Sequence, residues 1–328
     1  MATELKVGGL SAPPGERARG SVAAALGKTT VDIPLSLVNG TEPGPRVVIT
    51  AGVHGGEFTG VDAAVRLADR IAPEDLAGQL VICPVANPPA VYQGRLGVSP
   101  LDGININRVF PGDPDGQPTE RLAGWLFAHV LDGADAYLDL HSGGIDEVLR
   151  DFVGYRVSGD DTVDAKARGI AHAVGIEDVI LGLGADGGNS HAAAARRGIP
   201  SVLVETGQLG ERAAESLVDR LVNVLRHVGM LEGSPQTIKT RAWVWAGGVT
   251  AETTGLWYPD FNLGDEVVSG EPIGRIVDPA DGREHKVTAT ATGRVFYAMH
   301  GLTVAPGIEL AAIAAPHSPI PPAQEVPS

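Results

Sequence analysis

The sequence predicts an α/β protein: a mostly parallel or mixed sheet with helices on both faces, followed by a small all-β unit. Three observations carry that expectation. Between residues 46 and 228, short β-branched runs alternate with segments of helical period. After about Gly233 the helical period disappears and short alternating runs punctuated by glycine take over. Several histidines and carboxylates fall at the carboxyl ends of predicted strands, where open α/β sheets gather their functional groups.

The elements follow in order. The first forty or so residues read as β-rich, with extended runs near 20–24 and 29–37. Residues 46–51 (RVVITA) form a buried strand, and Val61, Ala64, Val65 and Ala68 give 57–71 a helical period. A second buried strand at 80–85 stops at Asn87-Pro88-Pro89, and a Gly- and Pro-bearing loop runs to about Pro118. A helix at 119–131 precedes a strand at 136–140; further strands are expected at 178–181 and 201–204. Helices at 162–174, 191–197 and 211–228 would flank them, which suits a sheet covered on both faces. The division expected is 1–233 for the larger unit, 234–315 for the β unit, and a Pro-rich disordered tail at 316–328.

Composition narrows the function classes. A chain of 328 residues favours two cores over one, and 43% hydrophobic residues suit a globular protein. A net charge of −15 argues against nucleic acid or an anionic membrane as partner, and means that a small anionic substrate would need a local arginine cluster. The only cysteine, Cys83, lies in an apolar run, so neither an internal disulfide nor a cysteine metal knuckle is expected. The N-terminal stretch lacks an apolar signal core and no run approaches a membrane span, so the expectation is a cytoplasmic protein.

The sharpest local feature is Gly52-Val53-His54-Gly55-Gly56-Glu57, between a predicted buried strand and a helix. A histidine and a glutamate three positions apart on a glycine-rich turn can face one point. Catalytic zinc commonly takes two histidines and a carboxylate and leaves a position for water. His141, ending the strand Tyr137-Leu138-Asp139-Leu140-His141, is the third candidate ligand. Alone, His-x-x-Glu is a weak signal; its junction position and a second strand-end histidine make it a metal site. In the loop from Ser99 to Gly112, Asn107 and Arg108 place an amide beside a bidentate donor, a fitting clamp for a carboxylate. Glu205 ends another apolar strand, where a carboxylate is either a desolvated base or a structural partner for an arginine.

These pieces, in this order, resemble the succinylglutamate desuccinylase/aspartoacylase family of the zinc carboxypeptidase superfamily, over roughly residues 35–314. The resemblance implies a zinc-carboxypeptidase-like α/β fold with a C-terminal barrel-sandwich-like module that narrows access to the metal. It implies one zinc ion per chain on His54, Glu57 and His141, a substrate carboxylate held by Asn107 and Arg108, and Glu205 as general base. The activity implied is hydrolysis of the amide bond of a small N-acyl amino acid or related N-acylated carboxylate. A metallocarboxypeptidase acting on short peptides is the alternative, since the same clamp would serve it. In relatives with a similar Ser-Pro-x-Asp-Gly loop, an arginine two positions before the serine polarises the scissile carbonyl. Gly97 stands there in this chain, and Arg95 is the nearest arginine. Asn105 would accept from the first histidine ligand, a role that relatives often give to aspartate.

Arg196 and Arg197 sit where some members place a substrate arginine, although a helix end explains them equally. His191 is the one remaining histidine near the predicted site strands. Trp243, Trp245 and Trp257 read as packing residues, and Lys286 as a solvated lysine instead of a carrier attachment point. The partners expected are a small N-acyl substrate, with no nucleic acid and no membrane; homo-oligomerisation is left open.

Overall fold

The structure is a computed structural model that describes residues 3–94, 97–184, 186–207 and 210–317. A short hairpin, β1 (Leu5–Val7) and β2 (Leu10–Ala12), precedes the long antiparallel strands β3 (Arg17–Ala25) and β4 (Thr30–Asn39). The chain then alternates through β5 (Glu42–Ala51), α1 (Phe58–Arg70), β6 (Ala77–Cys83), α2 (Pro118–Trp125) and β7 (Ala136–Ser142). Next come β8 (Glu147–Leu149), β9 (Phe152–Val157), α3 (Asp161–Val174), β10 (Asp178–Leu183), α4 (Ser190–Arg196), β11 (Ser201–Thr206) and α5 (Glu211–His227). The remainder is all strand: β12 (Arg241–Thr250), β13 (Gly255–Pro259), β14 (Glu266–Val267), β15 (Pro272–Val277), β16 (Glu284–Thr288), β17 (Gly293–Met299), β18 (Thr303–Val304) and β19 (Glu309–Pro316).

One mixed sheet dominates, in the order β14-β17-β19-β12-β10-β9-β11-β7-β5-β6-β4-β3, with β8 beside β17. The pairs around β7 are parallel, as its burial at every position leads one to expect. On one face α1, α3 and α5 cover a core that includes Leu67, Ile170, Leu221, Leu138 and Val204. On the other, α2 and α4 cover a second core with Leu122, Ala193, Val48 and Tyr137. Each fully buried leucine or isoleucine contributes about 1.5–3 kcal/mol, so the two cores together fix the sheet between its helices. The N-terminus of α3 is capped by Asp160, whose carboxylate accepts from the Thr162 and Val163 N–H groups, and Gly175 closes the helix in the left-handed region.

Two features depart from the elements expected. The first is β9, which the strand reading passes over. Glycine and arginine interrupt its apolar run (FVGYRV), yet it lies between β10 and β11 and pairs antiparallel with β11. The second concerns the division expected at 233/234, which is a change of core and not a break in the sheet. Strand β12 adds parallel to β10, and β19, β17 and β14 extend the same sheet. Only β13, β15, β16 and β18 form a separate four-stranded sheet, packed on its own core around Trp257, Ile276 and Val295. Of the expected tail, Pro316 closes β19 and the His317 N–H donates to the Ala242 carbonyl, while 318–328 lie outside the described residues. No helix among the described residues is long and apolar enough to cross a membrane.

Candidate active site

The metal-turn motif lies where β5 gives way to α1. Gly52 (φ 62°) and Gly56 (φ 103°) take backbone conformations that side chains disfavour, and the turn they shape carries His54 and Glu57. Gly60 then lets the first turn of α1 settle on the end of β7. A Cβ there would lie 3.0 Å from the Leu140 Cβ and carbonyl oxygen. That close approach brings Glu57 within reach of His141, the residue after Leu140.

Both imidazoles turn Nδ1 toward Glu57, His54 at 2.7 Å from Oε1 and His141 at 2.8 Å from Oε2. Their Nε2 atoms are engaged elsewhere. The His54 Nε2–H donates to the Asn105 side-chain oxygen at 3.0 Å, and the His141 Nε2–H donates to Asp139 at 3.0 Å. With Nε2–H held from behind, loss of the Nδ1 proton would leave each inward nitrogen a lone pair for a metal ion. Ligand atoms of His54, Glu57 and His141 all lie within 4.8 Å of one another, so this donor set could hold a metal. Burial alone would raise the Glu57 carboxyl; the charges and hydrogen bonds of the two imidazoles outweigh it and hold the group well below the usual carboxylate range. Burial likewise opposes charge on His141, yet Asp139 and Glu57 push its pKa well above the ordinary value.

Asp139 anchors a wholly buried network. It accepts from Thr50 Oγ1 at 2.7 Å and from the Ser190 hydroxyl, and Thr50 in turn meets the Tyr137 hydroxyl at 2.7 Å. A buried carboxylate with this many donors stays ionised, and its carboxyl lies below its usual range despite the penalty of burial. The sequence reading gave Asp139 no role. The signal was an aspartate inside an apolar strand, two residues before the candidate ligand.

Glu205 lies directly across from His141 in the register of β11 on β7. Its Oε2 is shut off from solvent without a hydrogen-bond partner among the described residues. Burial pushes its pKa well above the usual value; His141 opposes the shift, and Glu57, Glu147 and Asp139 reinforce it. A carboxyl held in this way is poised to take up a proton. In front of it opens a cavity of about 570 Å³ that His54, His141, Asn107 and Arg108 also line. Asn107 is buried and braced on the chain entering α4. Its Oδ1 accepts from the Ser190 N–H at 2.9 Å, and its carbonyl accepts from Arg108 Nη1 and from the Asn189 amide. The C-terminal strands close the far wall with Trp245, Tyr297 and Glu309.

The structure therefore brings His54, Glu57, His141, Glu205, Asn107 and Arg108 to one place. Arg95 lies outside the described residues. Arg196 donates to the Gly187 carbonyl, and Arg197 lies over the Phe127 ring; neither lines the cavity. Trp243 and Trp257 are buried as expected for packing residues, whereas Trp245 is 47% exposed and faces the cavity. Two cavity residues carry more than the sequence reading assigned them. Arg156 comes from the strand that reading missed, and His191 from the first turn of α4.

Comparison with known proteins agrees with this geometry. Residues 43–229 match the family described as succinylglutamate desuccinylase/aspartoacylase catalytic domain. The chain is 35% identical over 258 residues to the N-alpha-acetyl-L-2,4-diaminobutyric acid deacetylase of Halomonas elongata, covering 76% of this chain and 75% of that protein. Among solved structures it is similar to a succinylglutamate desuccinylase/aspartoacylase from Rhodobacter sphaeroides, with a TM-score of 0.81 and 30% identity over 92% of this chain and 96% of the other. The product-bound ectoine utilization protein EutE (DoeB) from Ruegeria pomeroyi gives 0.82 and 27%, over 91% and 95%.

Proposed function

The chain belongs to the succinylglutamate desuccinylase/aspartoacylase family, and from that premise we propose that it is a zinc-dependent deacylase of small N-acyl amino acids. The observation that carries the proposal is the pair of inward-facing Nδ1 atoms on either side of the Glu57 carboxylate, each imidazole fixed from behind, with Glu205 in register beside them. Two nitrogens and a carboxylate are the donor set that catalytic zinc takes, and the set leaves a position open.

In the proposed mechanism His54, Glu57 and His141 hold the ion. Zinc, when bound, acidifies a water and polarises the scissile carbonyl. Asn107 and Arg108 grip the carboxylate of the substrate, which sets the amide against Glu205 and supplies rate through orientation. Glu205 takes the proton of the attacking water and then delivers it to the leaving amine nitrogen. Its raised pKa suits that exchange, because a strongly acidic carboxyl would hold the proton too briefly to hand it on. Trp245, Tyr297 and Glu309 of the C-terminal strands bound the cavity on its far side, where a wall would favour short acyl amino acids over longer peptides.

Zinc analysis beside hydrolysis assays on N-acetyl and N-succinyl amino acids, with a dipeptide series as control, tests this reading. Stoichiometric zinc and turnover of N-acyl amino acids are expected. Turnover confined to dipeptides would replace the deacylase with a peptidase, and full activity after complete zinc removal would end the metal mechanism.

A further inference from the structure

We infer that Ser190 is a positioning residue that ties the substrate clamp to the metal site, closing a hydrogen-bonded belt that runs from His54 through Asn107 to His141. This rests on the deacylase reading and deepens it. The belt starts behind His54, whose Nε2–H donates to the Asn105 side-chain oxygen at 3.0 Å. The same oxygen accepts the Asn107 backbone N–H at 2.8 Å. The connection leaves Asn107 through its side chain, whose Oδ1 accepts the Ser190 N–H at 2.9 Å. The Ser190 hydroxyl then donates to Asp139 Oδ2, the oxygen that also accepts the His141 Nε2–H. His54, the loop at 105–107, the end of β7 and the start of α4 thereby share one connected set of bonds.

Ser190 suits this task by its place in the fold. It is wholly buried and opens α4 directly after the N-cap residue Asn189. The first N–H groups of a helix have no partner inside it, and that of Ser190 is directed at Asn107. Asn189 makes no side-chain capping bond. Its Nδ2 donates to the Asn107 carbonyl, and its Oδ1 accepts from Arg156 Nη2 at 2.9 Å. Asn107 is thus held by its backbone N–H, its carbonyl and its Oδ1. An N–H facing Oδ1 fixes the orientation of the amide, so its NH2 end is the one left for a substrate carboxylate. Gly188 completes the seat. A Cβ there would fall 1.8 Å from the Arg108 carbonyl oxygen, so the glycine lets the chain entering α4 lie against the clamp.

The two polar groups of Ser190 have separable effects. Its hydroxyl acts on Asp139 and through it on His141; its N–H acts on Asn107 and through it on the clamp. Outer partners of metal ligands commonly change affinity by roughly 10- to 100-fold, and Ser190, one bond farther out, should change it less. A residue that merely began a helix would affect neither zinc nor substrate.

Two variants read the bonds separately. Ser190→Ala removes the hydroxyl and keeps the N–H. Ser190→Pro removes both at the first helical position, which favours proline, behind an Asn189 whose ψ of 145° accepts a following proline. Zinc affinity is measured by competition with a chelator. The parameters kcat and KM are measured at saturating zinc on the N-acetyl amino acid that the wild-type protein turns over fastest. Ser190→Ala should weaken zinc roughly 3- to 10-fold and leave KM within about twofold. Ser190→Pro should weaken zinc at least as much and raise KM about tenfold, with a smaller change in kcat. Wild-type zinc affinity in Ser190→Ala overturns the inference, as does a Ser190→Pro KM no higher than that of Ser190→Ala. Should Ser190→Pro fail to fold, Asn107→Leu cuts the same belt at Oδ1. It should weaken zinc at least about threefold although Asn107 is no ligand, and unchanged zinc affinity there also overturns the inference. Turnover decides the deacylase reading by itself. If no N-acyl amino acid is hydrolysed that reading fails, and the chelator competition on Ser190→Ala and Asn107→Leu still decides the belt.

Discussion

The two ends of the cavity are built on opposite terms. At the metal corner every imidazole nitrogen already has a partner inside the protein, and a buried chain of Tyr137, Thr50, Asp139 and Ser190 stands behind His141. At the far end, Arg156 and His191 each keep a buried polar atom without one. The first is held rigidly, as the proposed metal site requires, since reorganisation during a reaction would cost rate. The second holds two buried nitrogens to which the described residues give no hydrogen-bond partner. Substitutions at the two ends should therefore fail in different ways.

The largest effect belongs to the reacting end. Glu205→Gln should lower kcat by about 10³-fold or more while zinc stays stoichiometric, because the amide can neither take nor return the proton. Metal analysis and turnover on the same sample decide it; substantial activity with zinc present would falsify the assignment of the base. Next comes the support behind the metal. Asp139→Asn should weaken zinc roughly 10- to 100-fold in competition with a chelator, since the His141 Nε2–H loses a charged acceptor. Unchanged zinc affinity in that variant would show that the network serves folding alone.

A pH effect on stability distinguishes the far end. The His191 pKa lies at about 3 in the fold against an ordinary 6.5, because of burial first and the Arg156 charge second; His141 adds to the shift and Asp139 opposes it. Below pH 6.5 the unfolded chain takes up this proton and the folded one does not. The stabilisation present above pH 6.5 is therefore lost as pH falls toward 3, by up to on the order of 5 kcal/mol. His191→Gln should flatten the acid limb of a denaturation series run from pH 7 to pH 4, and an unaltered slope would rule His191 out as its source. The smallest effect is expected outside the cavity. Arg197→Ala removes a cation–π contact with Phe127, worth about 0.5–1 kcal/mol, and should leave kcat/KM within about twofold. A tenfold loss would return Arg197 to the substrate site.

Much of the metal corner was legible because its residues announce themselves locally. His54 and Glu57 share one glycine-rich turn, and His141 and Glu205 end apolar runs that read as strands without help from the rest of the chain. Asp139 was visible but mute: two residues from a ligand, it acquires a role only when Thr50 and Ser190 arrive from other elements. Arg156 was harder still. Its strand reads as broken by Gly154, and its seat is an absent side chain on β10, at Gly182.

The sequence by itself determined the alternation of elements and picked out the candidate ligand trio and candidate base, all of which depend on local period, turn chemistry and the polarity of strand ends. The tertiary structure alone decided that β12 and β19 would extend the main sheet, that β9 would lie between β10 and β11 and run antiparallel to β11, and that Arg156 would lie across the space left by Gly182. Strand pairing is non-local. A residue's neighbour across a ladder lies tens of positions away, and no local pattern records whether that neighbour is a side chain or a gap.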